Sequence, residues 1–355
     1  MRFENSMKTV VAAIAIVTAA TVALAAPPGK PRFVPMGETY LVPMDMNGDG
    51  SVIVGRGYFG LPTFRYTIAG GVENLGGGCG AGTASVSEDG NTVLSCITRP
   101  DGVEAAAAWT GSDWQDLGSV AGAVNCDASL SSGWDLSGDG RTAVGLVWLA
   151  QICRAHAGSW DLENGGPATD LGSLVEGRAT RANAVNFDGT IIAGWQDDEV
   201  GQRAGAMWVN GVESPVLTEA GESVGEVQFV NGDGSVMVGN NYPYGTPNSW
   251  VWTAKRGFTT IDAPSTLFQL FAIDAADDGS VVVGLGRDRQ GNPKGFIWTL
   301  NGSKFTWMDD YLAKKGLAPG WKIGSVSAIS GDGRTLAGYG INPNGDVEGF
   351  VLENF

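Results

Sequence analysis

Short apolar runs rich in β-branched residues recur along the chain, separated by polar stretches full of glycine. Examples are SVIVG from Ser51, RTAVG from Arg141, TIIAG from Thr190, SVMVG from Ser235, SVVVG from Ser280 and RTLAG from Arg334. Such runs are too short for helices and almost continuously apolar, which predicts strands covered on both faces. An Asp-Gly pair precedes each run and marks seven copies, at Asp49, Asp89, Asp139, Asp188, Asp233, Asp278 and Asp332, in steps of 40 to 54 residues. Gly after Asp accepts the positive φ of a tight hairpin turn, and Asn47, Ser87, Ser137, Asn186, Asn231 and Ser330, two places before the Asp, can bond the turn backbone.

Two further landmarks keep their order in the copies. Tyr66, Trp109, Trp160, Trp208, Trp252, Trp298 and Leu352 follow the Asp by 17 to 21 residues, and Leu75, Leu117, Leu171, Leu217, Ile261 and Met308 come next. A glycine stands six places after the Asp in six copies (Gly55, Gly145, Gly194, Gly239, Gly284, Gly338), and Ser95 is the exception. One unit therefore reads strand, Asp-Gly turn, strand, loop, aromatic strand, Gly turn, Leu strand. Such a unit cannot bury both faces alone, so neighbours must pack on each other. The sequence predicts an all-β fold, a seven-bladed β-propeller of four-stranded antiparallel blades, with an open solenoid as the alternative. The last copy lacks a fourth strand, and RFVPMG from Arg32 supplies a spare one to close the ring. MDDYLAKKGLAPGW from Met308 predicts a short helix with Met308, Leu312 and Tyr311 on one face and a Gly-Pro-Gly exit.

Composition agrees with a large globular β domain: 355 residues, 43% hydrophobic and 17% charged, with 55 glycines that follow no collagen triplet. The net charge of −16 argues against a nucleic-acid surface, which needs clustered Lys and Arg. Lys8, the apolar run from Val10 and Ala23-Leu24-Ala25 read as a signal peptide over residues 1–25, leaving 26–355 as one seven-repeat domain with no later membrane span. The expected location is periplasmic or extracellular.

With these motifs in view, the chain resembles the HAF family of bacterial extracellular repeat proteins over residues 33–355. The likeness rests on the Asp-Gly turn, the VVG run, the small-x-Trp strand and the stretch from Ser327 to Phe350. LSGDGRTAVG and ISGDGRTLAG are also similar to hairpins of TolB-type propellers. Tyr66, Ser95 and Leu352 depart from the pattern. The resemblance implies export and a repeat fold, and brings no reaction or catalytic residues.

Cys79, Cys96, Cys126 and Cys153 are an even set in an exported chain, which favours disulfides. Three connectivities exist; the repeat frame selects Cys79–Cys96 and Cys126–Cys153, each within one blade. Zinc lacks CxxC spacing and companion histidines. DMNGDG from Asp45 matches half of a calcium loop through Asp45, Asn47 and Asp49, but Arg56 stands where the closing Glu belongs. His156 is the only histidine, and no nucleophile elbow or phosphate loop accompanies it. No metal and no cofactor are expected.

Aromatic and charged residues outside the repeat frame gather after the second strand of their units. Arg56, Trp148, Trp195, Asp197, Tyr242, Arg287 and Tyr339 are the candidate ligand-binding set, suited to a glycan or protein ligand at one mouth of a ring. The expected function is a non-catalytic binding or scaffold protein, acting as a monomer. The alternative is a carbohydrate-active hydrolase or lyase using carboxylates such as Asp197 and Asp288 on that same face.

Overall fold

Seven four-stranded antiparallel sheets follow one another along the chain, spanning residues 41–76, 85–118, 131–170, 180–215, 226–262 and 267–307 for blades 1 to 6. Blade 7 takes three strands from 322–353 and its fourth from the strand Arg32–Thr39. This computed structural model describes residues 29–58, 61–123, 126, 129–149, 154–241 and 248–355, of which 31–355 form one unit. The expected signal segment, 1–25, lies outside the described residues. Among those described, no helix is long and apolar enough to cross a membrane.

The closing strand pairs where the sequence places it. Arg32 opposes Glu353, Phe33 opposes Leu352 and Pro35 opposes Phe350. Phe33 stacks on Phe350 at 5.1 Å and meets Trp321 edge-on at 5.0 Å, so the joint between the two chain ends is apolar as well as hydrogen-bonded. First strands of successive blades touch one another around the ring, which places them on the central channel.

The seven Asp-Gly turns share one conformation. Gly50, Gly90, Gly140, Gly189, Gly234, Gly279 and Gly333 all lie at φ between 67° and 75°, while none of the preceding aspartates has positive φ. In blade 3 the Gly140 N–H bonds Ser137 O at 2.8 Å, and the Ser137 hydroxyl accepts the Thr142 N–H at 2.9 Å and donates to Asp139 at 2.7 Å. Asn47, Asn186 and Asn231 use their side-chain oxygens likewise on Val52, Ile191 and Val236.

These turns are also bonded to each other in a closed circle. Gly331 N–H donates to Gly48 O, Gly48 N–H to the Glu88 carboxylate, Glu88 N–H to Gly138 O, and Asp139 N–H to Phe187 O. Phe187 N–H then donates to Gly232 O, the Asn231 amide to Asp277 O, and Asp277 N–H to Gly331 O. Every blade is thereby tied to the next at this end of the channel.

The glycine six places after each Asp has a steric cause. The first strand bulges opposite it, with register shifts at Pro43/Asp45, Gly133/Asp135, Ala182/Ala184, Val227/Phe229, Ala272/Asp274 and Val326/Ala328. The bulge turns a carbonyl inward. A Cβ on Gly55, Gly145, Gly194, Gly239, Gly284 or Gly338 would lie 2.0–2.2 Å from the oxygen of Val42, Ser132, Arg181, Glu226, Phe271 or Ser325. Blade 2 explains its own exception: its first strand pairs only at Ser85 and Val86, the ladder stops at Leu94, and Ser95 keeps a side chain that bonds Thr63 Oγ1 at 2.9 Å.

The aromatic landmarks fill the spaces between blades. Trp160, Trp208 and Trp298 are essentially inaccessible, and Trp208 Nε1 donates to Leu171 O of the preceding blade at 3.0 Å. Leu171 and Leu217 fall just beyond their fourth strands, and Met308 opens the helix, so the third landmark marks the strand's end more than its body. The helix Met308–Lys315 buries Met308 and Leu312, ends at Gly316 (φ 69°) and packs on blades 6 and 7.

Cys79 and Cys96 form the expected disulfide. Cys96 sits within the second strand of blade 2 and not after it, so the bond pins the loop entering the blade to its core. Cys126 is buried and no described cysteine is a free thiol; the predicted partner Cys153 lies outside the described residues.

Candidate functional site

Away from the turns, the sheets end where first strands begin and second strands stop, and a cavity of about 480 Å³ opens there across blades 3 to 6. Its wall is built from charged residues set into otherwise apolar strands. Arg181 is the second residue of the first strand of blade 4, Glu226 starts that of blade 5, and Arg203 starts the third strand of blade 4. Glu226 is 5% exposed, and a carboxylate this buried needs paired charge. Arg203 Nη1 donates to its Oε1, Arg181 Nη2 lies 3.7 Å from Oε2, and Gln228 Nε2 donates to Oε2 at 2.7 Å.

Two indoles hold these guanidinium groups. Arg181 Cζ lies 3.7 Å from the Trp134 ring centre and 5.3 Å from that of Trp195, and Arg203 Cζ lies 4.3 Å from Trp195. Trp134 is the bulged residue of blade 3, so the feature that requires glycine opposite also presents an indole at the cavity. The result is an alternating stack, Trp134–Arg181–Trp195–Arg203, whose cation–π contacts fix the arginines.

On the far wall Arg287 is exposed and stands directly across from Gln269 in blade 6. Arg287, Gln269 and Asn241 line the cavity, and among the described residues none of these side chains makes a hydrogen bond or an ion pair. Tyr339 of blade 7 lies near Arg287; burial pushes its phenol up, and the Arg287 charge opposes that shift.

The structure distributes the sequence-predicted set unevenly. Trp195, Asp197 and Arg287 gather at or beside the mouth, with Tyr339 next to Arg287. Trp195 is 5% exposed and lies beneath the arginines, so it positions them instead of offering a face. Asp197 pairs across from Arg203; burial pushes its carboxyl up while Arg203 and Arg178 pull it down. Arg56 is buried and gives its guanidinium to the carbonyls of Cys79, Ala81 and Gly82, holding the disulfide loop. Trp148 ends the second strand of blade 3, half-buried. Tyr242 lies outside the described residues. Asp288 accepts the backbone N–H groups of Gln290 and Asn292, which holds it ionised as a loop cap and apart from Asp197.

Trp134, Arg181, Arg203 and Glu226 were not legible from the loops after second strands. Their sequence signal is a charge inside a buried strand, as in TRANAV from Thr180 and EVQFV from Glu226, where a partner must exist.

Deeper in the channel, the first strands carry a carboxylate cluster. Asp45 Oδ2 and Asp135 Oδ1 each lie 2.8 Å from Ser85 Oγ, and they also accept N–H bonds from Val86 and Leu136. One hydroxyl proton serves only one of the two acids, so satisfying both contacts requires a protonated carboxyl. Burial first, and for Asp135 the charge of Asp45 next, raises these acids, to about 6 for Asp45 and about 7 for Asp135. Asp274 is likewise raised by burial and bridges to Ile329 N–H in blade 7 at 2.9 Å.

The calcium-like motif does not converge. Asp45 faces Ser85 and Val86, Asn47 caps its own turn and donates to Glu88 O, and Asp49 accepts Ser51 N–H. Among the described residues no group of three or more potential ligands could hold a metal ion. His156 Nδ1 lies 2.8 Å from Asp170 Oδ1 on the outer strands of blade 3, away from the mouth.

No family model matches the chain, and no curated protein matches it in sequence. Solved structures match its fold. The β-propeller domain of the Trilobed protease from Pyrococcus furiosus aligns with TM-score 0.56 at 10% identity, over 88% of this chain and 95% of that one. The Cps50 (Swd1) β-propeller domain of Myceliophteria thermophila aligns with TM-score 0.52 at 11% identity, over 91% and 99%. TolB from Acinetobacter baumannii aligns with TM-score 0.46 at 12% identity, over 75% of this chain and 62% of TolB, so the match spans less than two thirds of that protein. At such identities the likeness shows the fold alone: the chain is a β-propeller.

Proposed function

We propose that this chain is an exported, non-catalytic binding propeller of the HAF repeat type, and that the cavity across blades 3 to 6 is its contact surface. The observation that carries this reading is the asymmetry of the channel. At one end a circle of hydrogen bonds ties the turns to one another, and the other opens into a cavity walled by fixed arginines and polar side chains that make no hydrogen bond among the described residues. Pockets of this size with a few placed polar groups suit small ligands or one segment of a larger one. A disulfide in blade 2 accords with an oxidising compartment.

A thermal-shift panel on purified residues 26–355, with calcium, EDTA, glycans and peptides, tests the reading. A ligand that raises Tm for the parent and not for the double variant Asn241→Ala, Gln269→Ala supports it. A flat panel on a cooperatively folded chain overturns it in favour of a structural role. Export is checked separately, by cell fractionation and mass spectrometry of the mature N-terminus, expected at Ala26.

A further inference from the structure

The cavity carries a chemical preference. We infer that it takes a sugar acid, a saccharide whose carboxylate is received by Arg287, across the cavity from the Arg181–Arg203 pair; this rests on the proposed binding face and names its ligand class. Charge in the molecule is segregated. The chain is 16 charges negative, yet among the described residues three arginines and a single carboxylate, Glu226, line this cavity. The opposite face holds the seven turn aspartates with Glu88 and Asp277; burial, and then the charges of Asp233, Asp278 and Asp332, raise Asp277. An anionic group is therefore drawn to the mouth and repelled from the turns.

Geometry narrows the anion. A guanidinium presents parallel N–H groups that match a carboxylate, and Glu226 already receives both Arg203 and Arg181 at this wall. Stacking on Trp134 and Trp195 removes the rotamer freedom these arginines would otherwise lose on binding. Arg287 has no acidic partner among the described residues, so the mouth retains positive charge after Glu226 is satisfied.

The neighbouring groups select a sugar over an acidic peptide. Gln269 and Asn241, with no side-chain partners among the described residues, each carry a donor and an acceptor, as a sugar hydroxyl does. A peptide would add a main-chain N–H at each residue, and Arg181, Arg203 and Arg287 accept none, which leaves chiefly the Gln269 and Asn241 amide oxygens to receive them.

Isothermal titration of the purified full chain tests this. The probes are oligomers of galacturonate, glucuronate and mannuronate, their methyl esters, which remove the charge and keep the sugar, and tetraglutamate. At least one uronate oligomer should bind, with its ester about tenfold weaker or more, the loss of a charge-assisted pair. Arg287→Gln should weaken the acid by a similar factor, Arg287→Lys should retain part of the affinity, and Arg141→Gln on the turn face should change nothing. Equal binding of ester and acid, weakened by Gln269→Ala, overturns the acid preference while leaving the mouth a ligand site. Binding of tetraglutamate alone, lost in Arg287→Gln, replaces the sugar with a peptide. If no uronate binds a chain that unfolds cooperatively, the sugar-acid inference fails outright, and the wider panel above then decides whether the mouth binds anything.

Discussion

The two ends of the channel are built from the same seven strand pairs and obey different rules. At the turn end the blades repeat one solution: Ser or Asn in six of them and Ala276 in blade 6, then Asp-Gly with the glycine at positive φ, then an N–H bond to the next turn. At the mouth no two blades agree. Blade 3 contributes Trp134, blade 4 two arginines and an indole, blade 5 Glu226, blade 6 Arg287 and Gln269. Repetition holds where backbone geometry decides the residue, and variety enters where strand ends leave the side chain unconstrained. The repeats carry stability and the departures from them carry recognition.

That division is most exposed at the packing residues every blade shares. Trp208→Ala removes an inaccessible indole and its bond to Leu171 O, and should cost about 3–5 kcal/mol in chemical denaturation. Gly145→Ala drives a Cβ onto Ser132 O and should cost about 1–3 kcal/mol, whereas Ser95→Ala, where a Cβ already fits, should cost only about 1 kcal/mol through the lost Thr63 bond.

The carboxylate cluster between the two ends responds to pH. Asp45 and Asp135 are raised to about 6 and about 7 in the folded chain, above the ordinary Asp value of about 3.9 expected when unfolded. The folded state therefore binds the extra proton, and this contribution to stability is full near pH 4 and falls as pH rises through 7. Urea midpoints at pH 4.5 and pH 8 should show it, and Asp45→Asn should flatten the slope; an unchanged slope would remove the shared proton from the account.

Smaller changes separate the two ends directly. Ser137→Ala at a turn deletes a hydroxyl that accepts Thr142 N–H and should cost about 1 kcal/mol by thermal melting. Gln269→Ala at the mouth should stay within about 0.5 kcal/mol of the parent. If the mouth variant were the more destabilising of the two, stability and recognition would not divide as described.

The same contrast explains what the sequence discloses. Asp-Gly turns, the closing strand from Arg32, the helix from Met308 and the Cys79–Cys96 bond are legible because each depends on local backbone preference or on the repeat frame. The regular glycine was visible as a pattern, but its cause, a first-strand carbonyl turned inward by a bulge, is a cross-strand fact. The arginine–indole stack was hidden for a similar reason. Trp134, Arg181 and Arg203 are separated in sequence and meet only when blades 3 and 4 are side by side. Arg56 was legible as a charged residue after a strand, yet only the packed loop shows it spent on carbonyls.

The way the ring is sealed has a consequence in time. Arg32 and its partner Glu353 lie 321 residues apart, so the strand Arg32–Thr39 is made long before Val347–Glu353. Until Val347–Glu353 is made, blade 7 is incomplete and the closing strand has no mate, so both present open edges to other chains. Contacts this distant in sequence form slowly. The circle of turn bonds needs Gly331 to reach Gly48, so it also must wait for blade 7. Closure of this propeller thus waits for a late step that joins its first-made and last-made strands, and its aggregation hazard is concentrated before that step.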